Sequence, residues 1–123
     1  MFQVCIQAHF DAAHFLRDYR GDCANLHGHR WTVTVCVEGS QLDEAGMLLD
    51  FNEIKQSLRK IIKPFDHCLL NDLPSFRGIN PTAENLALLI FQGLKGELGL
   101  AENRLAWVQV NETPEAWAVY REE

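Results

Sequence analysis

Phe2, Val4, Ile6, Ala8, Phe10 and Ala12 are apolar at every second position, with Gln3, Gln7, His9 and Asp11 between them. A strand turns successive side chains to opposite faces, so this period predicts a long half-buried strand. Trp31, Val33, Val35 and Val37 repeat the pattern against Thr32, Thr34, Cys36 and Glu38, which predicts a second strand. Between them Arg17, Asp18, Arg20, Gly21 and Asp22 break the period and predict a loop over 15–26. Asp50-Phe51-Asn52-Glu53 reads as a helix start, with Asp50 as cap and Glu53 reaching back. Phe51, Ile54, Leu58, Ile61 and Ile62 follow at helical spacing until Pro64 stops the helix. Asn80-Pro81 opens a second helix, with Asn80 as cap and Ala83, Leu86, Ala87, Ile90 and Leu94 as its inner stripe. Gly93, Gly96 and Gly99 are expected to fray its end, and Leu88, Leu89 and Phe91 widen its apolar surface toward a partner subunit. Leu105–Val110 and Ala116–Tyr120 predict a third and a fourth strand around a Thr113-Pro114-Glu115 turn. Strand pairs flanking a helix pair predict an α+β fold, with an antiparallel sheet carrying its helices on one face.

At 123 residues the chain is expected to form one domain, 1–123. Lys and Arg number 11 against 17 Asp and Glu, a net charge of −6. Gripping phosphates needs clustered cations, so no nucleic-acid partner is expected. The longest apolar run, Leu86 to Phe91, falls far short of the roughly 18 residues of a membrane span, so no membrane partner is expected either. Met1-Phe2-Gln3-Val4 has neither the basic region nor the cleavage pattern of a signal peptide, which predicts a cytoplasmic location. There Cys5, Cys23, Cys36 and Cys68 are expected as reduced thiols, Cys5 and Cys36 as inert packing inside strands.

His27-Gly28-His29 carries the most chemistry. Residues two apart on a strand share a face, so both imidazoles leave the sheet on the side of Trp31 and Val33. Gly28 between them would let another backbone approach. His14 ends the first strand with the parity of Phe10 and Ala12, and a hairpin of the two strands would bring it to the His27/His29 pair. No acidic fourth ligand stands at a fixed spacing. Three imidazoles and an open position suit a catalytic zinc, and imidazole nitrogens also suit copper, iron or nickel. Cys23 lies four residues before His27. It could close the site as a fourth ligand, or act as a thiolate base or nucleophile beside the metal, and spacing leaves both open. Asp66-His67 places a carboxylate beside an imidazole in the loop after the first helix, and with Cys23 supplies the ingredients of an activated thiol. Glu112 ends the third strand, either as a solvent-facing strand end or as an acceptor for an amidine-like ring edge such as a pterin or guanine.

Together these residues resemble the 6-pyruvoyl-tetrahydropterin synthase / 6-carboxytetrahydropterin synthase family. The resemblance runs through Phe10-Asp11-Ala12-Ala13-His14, Cys23-Ala24-Asn25-Leu26-His27-Gly28-His29 and Gly46-Met47-Leu48-Leu49-Asp50-Phe51. It continues through Asp66-His67 with Leu70-Asn71-Asp72, Asn80-Pro81-Thr82-Ala83-Glu84-Asn85, and Glu112-Thr113, which covers nearly the whole chain. The resemblance implies the tunnelling fold, a four-stranded antiparallel sheet with two helices between strands two and three. Its subunits would join edge to edge into a trimeric barrel, alone or stacked as a homohexamer. It also implies zinc on His14, His27 and His29, Cys23 as catalytic base, Asp66 with His67 as proton relay, and Glu112 as pterin anchor. The small-molecule substrate would be 7,8-dihydroneopterin triphosphate. Three residues separate Cys23 from His27, as in the bacterial 6-carboxytetrahydropterin synthases of queuosine precursor synthesis, whereas five are typical of the pyruvoyl-forming enzymes. The carboxy product is therefore expected, with acetaldehyde and triphosphate released. A pyruvoyl-forming enzyme and a non-catalytic zinc or pterin module are the alternatives. Asp22 stands where a lysine is frequent, and an adjacent anion opposes thiolate formation at Cys23. Arg17, Arg20 and Arg77 are candidate cations for the triphosphate.

Overall fold

The computed structural model describes every residue except Arg20, Asp22 and Cys23. Two long strands, β1 (Phe2–His14) and β2 (His27–Gly39), pair antiparallel without a break from Phe2 opposite Gly39 to His14 opposite His27. Helix α1 (Phe51–Ile62) follows, then a two-residue strand β3 (Cys68–Leu69), helix α2 (Ala83–Leu98), and strands β4 (Arg104–Thr113) and β5 (Ala116–Tyr120). The sheet order is β3-β1-β2-β4-β5. The α+β class stands, and both helices lie between the second long strand and the third. The count of four antiparallel strands does not hold. β3 is a fifth strand, parallel to β1 through Ala12 opposite Cys68 and Ala13 opposite Leu69, and two residues are too few to show a period.

The strand periods place Phe10, Trp31, Val33, Val35, Val108 and Val110 in the core. Ile54 and Leu58 of α1, with Leu86, Ile90 and Leu94 of α2, close that core from one side. Asp50 caps α1 by accepting the Asn52 N–H, and the helix ends before Pro64. Phe51 departs from the expected stripe and is exposed.

In α2 the cap is Thr82, whose hydroxyl accepts the Asn85 N–H, and not Asn80. Asn80 instead brackets the backbone of Arg17, accepting its N–H at 2.8 Å and donating to its carbonyl at 2.9 Å. Gly93 and Gly96 do not fray the helix, which runs to Leu98 and closes on Gly99 at φ +54°. At Gly93 an added Cβ would press on the Ile61 side chain, 2.9 Å away, so the glycine lets the two helices approach. Phe91 does not face outward, because it packs edge-on against Tyr120 of β5 at 5.0 Å.

Asn71 repeats the bracket on Phe15, accepting its N–H and donating to its carbonyl, both at 3.0 Å. The two amides imitate a strand partner where β1 gives way to the loop leading toward Cys23. Asn71 is buried, so Asn71→Ala leaves the Phe15 backbone groups without their partner. The expected cost is about 2–3 kcal/mol, seen as a lower urea midpoint with unchanged slope.

Candidate metal centre and catalytic groups

The antiparallel register alone brings His14 opposite His27, and strand parity adds His29 on the same face. The His14 and His29 rings stand edge-on to Trp31, at 4.8 and 5.3 Å between centroids. His14 Nδ1 lies 2.7 Å from the Pro81 carbonyl, and His27 Nδ1 lies 2.6 Å from the Asn25 carbonyl. A carbonyl only accepts, so each Nδ1 carries the proton and each Nε2 presents a lone pair. Those two Nε2 atoms face one another at 2.9 Å. Two lone pairs at that distance repel unless a cation or a proton sits between them. His29 Nε2 is buried beside them and makes no hydrogen bond among the described residues. Three nitrogen donors so arranged fit a cation of zinc's size. Zinc binds imidazole at about 2.0–2.1 Å, which spaces tetrahedral ligands roughly 3.3 Å apart.

Burial lowers the His14 pKa, against the opposing pull of the Pro81 carbonyl, and burial likewise lowers that of His29 against Glu112. Both rings are therefore held neutral, the form that ligates. Their folded values lie below the ordinary imidazole value of about 6.5, so the unfolded chain binds more protons in that window. The stability they contribute is fully present above pH ~6.5 and is lost as the pH falls through their depressed values. Metal-stripped protein is expected to melt at falling temperature as the pH is lowered from about 6.5, and to take up zinc less tightly over the same range, by calorimetry at stepped pH.

Glu112 lies at this centre. Its Oε1 is 3.0 Å from His14 Nε2 and 3.2 Å from His29 Nε2. All four residues offer donor atoms within 4.8 Å of one another. An acidic donor thus stands beside the histidines, which no spacing along the chain could reveal, because β4 reaches them across the sheet. The β4–β5 pairing is irregular between Asn111 and Thr113, and such irregularities re-aim a side chain. A recess of about 230 Å³ is lined by Glu84, Glu112 and Trp117. Glu112 and Trp117 also line a cavity of about 720 Å³, with His29, Arg30 and Gln109. Gly28 lines that cavity, and among the described residues no backbone closes on it, since an added Cβ would meet only Ala12 O at 3.9 Å.

Asp66 and His67 do form a pair, outside the cluster of donor atoms that the three histidines make, and His67 shares an open recess of about 630 Å³ with His29. His67 Nδ1 lies 2.9 Å from Asp66 Oδ1, with His67 in the left-handed backbone region at φ +56°. The Asp11 backbone brackets both residues. Its N–H donates to Asp66 Oδ1 at 3.0 Å and its carbonyl accepts the His67 N–H at 2.6 Å. The Asp11 amide, and then His67, hold the Asp66 carboxyl below its ordinary range. Arg30 grips the Asp11 carboxylate through two nitrogens at 2.9 and 3.1 Å and lowers its pKa in turn. The donor atoms of Asp11, Asp66 and His67 make a second group separate from His14, His27, His29 and Glu112. The His67 ring is largely exposed.

Cys23, the expected base, lies outside the described residues, as do Arg20 and Asp22. Arg17 is committed to the carbonyls of Asn71, Phe76 and Ile79, so it holds the loop together and offers no free fork to a phosphate. Arg77 is exposed. Neither Asp11 nor Arg30 is marked as a site residue by its type or its neighbours in the sequence. The signal lies in the register, since three equal steps back from His14 and on from His27 place them opposite each other.

Residues 3–123 match the family described as 6-pyruvoyl tetrahydropterin synthase. The chain belongs to that family. It is 37% identical to the 6-carboxy-5,6,7,8-tetrahydropterin synthase of Bacillus subtilis, over 98% of this chain and 85% of that protein. It is 35% identical to the 6-pyruvoyl tetrahydrobiopterin synthase of Dictyostelium discoideum, over 84% of this chain and 76% of that one. Among solved structures, the 6-pyruvoyl tetrahydropterin synthase of Caenorhabditis elegans superposes with a TM-score of 0.85 at 26% identity, covering 99% of this chain and 96% of that one. This tetrahydropterin synthase relative is therefore an enzyme of pterin chemistry, and no helix among its described residues is long and apolar enough to cross a membrane.

Proposed function

We propose that residues 1–123 act as one zinc-dependent lyase domain in the cytoplasm. It converts 7,8-dihydroneopterin triphosphate to 6-carboxy-5,6,7,8-tetrahydropterin, with release of acetaldehyde and triphosphate, as a step toward queuosine. The observation that carries the metal reading is the pair of facing Nε2 lone pairs with a third, unpartnered Nε2 beside them. The relatives named 6-carboxy-5,6,7,8-tetrahydropterin synthase support the choice of product. Zinc on His14, His27 and His29 would supply a Lewis acid that polarises a substrate oxygen and eases loss of a neighbouring C–H proton. Glu112, which lines two cavities, accepts hydrogen bonds from the pterin edge and sets the side chain over the histidines. Cys23 takes the C–H proton, and the Asp66–His67 pair returns one later.

The Asp66–His67 pair lies in a separate group from the histidines, so a neighbouring copy of the chain supplies it to each centre. The outer edges of β1 and β5 carry no long strand partner among the described residues, and they fit edge-to-edge joining into a trimer or a dimer of trimers. Mixing inactive His29→Ala and His67→Ala proteins under subunit exchange is expected to restore roughly a quarter of wild-type turnover. No recovery after verified exchange would place both groups in one chain.

The product assay decides between the two branches of the family. Zinc-loaded protein is incubated with dihydroneopterin triphosphate, acetaldehyde is assayed, and the pterin is weighed by mass spectrometry. Acetaldehyde with a carboxylated pterin is the expected result. A pyruvoyl pterin without acetaldehyde would favour the other reading, which the Dictyostelium relative's name supports.

A further inference from the structure

The register that opposes His14 to His27 also opposes Cys5 to Cys36. Their Sγ atoms lie 2.7 Å apart, well inside the ~3.5–4.0 Å of ordinary non-bonded contact. Directly opposed strand residues hold their Cβ atoms about 4.5–5.5 Å apart, close to the ~3.5–4.5 Å a disulfide needs. The two thiols differ in access. Cys5 is exposed, on the sheet face that carries Gln3 and Gln7, whereas Cys36 is fully buried beneath it and directs its Sγ to Gln3 Oε1 at 3.4 Å.

We propose that Cys5 and Cys36 are a dithiol modification site, which a small-molecule disulfide of the glutathione type oxidises to a cross-strand disulfide. Cys5, as thiolate, attacks one sulfur of oxidised glutathione. The S–S bond of the reagent breaks, one glutathione leaves, and Cys5 carries a mixed disulfide. The Cys36 sulfur then attacks the Cys5 sulfur and expels the second glutathione. The two protein thiols lose two electrons and two protons, and both pairs end on the two reduced glutathiones. Burial, followed by the adjacent Cys5, pushes the Cys36 thiol up to about 12, so entry falls to the exposed Cys5, and Cys36, held against it, hands its proton to the departing glutathione thiolate in the second, intramolecular step.

The bond would staple β1 to β2, the strands that carry His14, His27 and His29, at the end of the sheet away from the histidines. It would close a loop between residues 31 apart in sequence and so restrict the unfolded chain.

The test uses the full zinc-loaded chain in buffers of stepped oxidised-to-reduced glutathione ratio. Free thiols are trapped by alkylation, followed by intact-mass and peptide analysis. The expected result is a loss of about 2 Da, a Cys5–Cys36 cross-linked peptide, and a melting temperature roughly 10 °C above the reduced form. Cys5→Ser, a change at an exposed position, is expected to fold and to abolish both the mass loss and the thermal shift. A glutathione adduct that persists on Cys5, free alkylation of both thiols at every ratio, or a cross-link to Cys23 or Cys68 would overturn the proposal.

Discussion

His29→Ala is expected to cost zinc affinity more than about 100-fold and turnover with it, because the loss of a direct donor exceeds the effect of removing a partner one bond further out. The ring is half-buried and its Nε2 meets no hydrogen-bond donor among the described residues, so its loss breaks no hydrogen bond of the fold at that atom. Thermal stability in excess chelator should therefore fall only by the packing of the ring against Trp31. Glu112→Gln separates the two roles open to that carboxylate. Zinc retained at wild-type affinity with a raised KM assigns Glu112 to the pterin, and zinc lost together with turnover assigns it to the metal. The proximity of Oε1 to two Nε2 atoms makes this measurement necessary, and the proposed mechanism requires the first outcome. Isothermal titration with zinc and steady-state kinetics on both variants give the answer.

Cys23→Ala is expected to lower kcat by about 10²–10⁴-fold, the range for a removed general base, while zinc content stays at one per chain. Metal analysis of the variant is the informative half of the experiment. Loss of zinc with loss of fold would mean that the thiol closes a structural Cys-His₃ site, and the lyase mechanism would lack its open position. Asp22 beside Cys23 adds a second expectation. An adjacent carboxylate favours the protonated thiol, so Asp22→Asn should shift the alkaline rise of activity to lower pH.

The long strands, both helices and the convergence of three histidines are legible in the sequence because each rests on a local period. Strand parity puts His27 and His29 on one face, and a hairpin with matched ends puts His14 opposite His27. Whatever depends on contacts between distant segments is not legible in the same way. Glu112 comes to the histidines from β4 across the sheet, and the irregular pairing beside it leaves no period to read. Strand β3 exists because residues 67–69 lie along β1 where the His67 N–H meets the Asp11 carbonyl, and two paired residues leave no pattern. Asn80 looks like a helix cap in isolation because Pro81 follows it. The Thr82 hydroxyl, three residues before Asn85, competes for that role and takes it, which frees Asn80 to hold Arg17. The Asp11–Arg30 and Cys5–Cys36 pairs lie between these cases. Both follow from the hairpin register by counting, once His14 and His27 are taken as its end.

The central claim is a cation held by three imidazole nitrogens with a position left for substrate and the cysteine sulfur unbound. X-ray absorption on the zinc-loaded protein, with and without a pterin ligand, reads that shell directly. The expected spectrum has nitrogen and oxygen scatterers near 2.0–2.1 Å, imidazole outer-shell scattering, and no sulfur. A sulfur at about 2.3 Å in both states would contradict the claim, because the position needed by the reactant would already be filled.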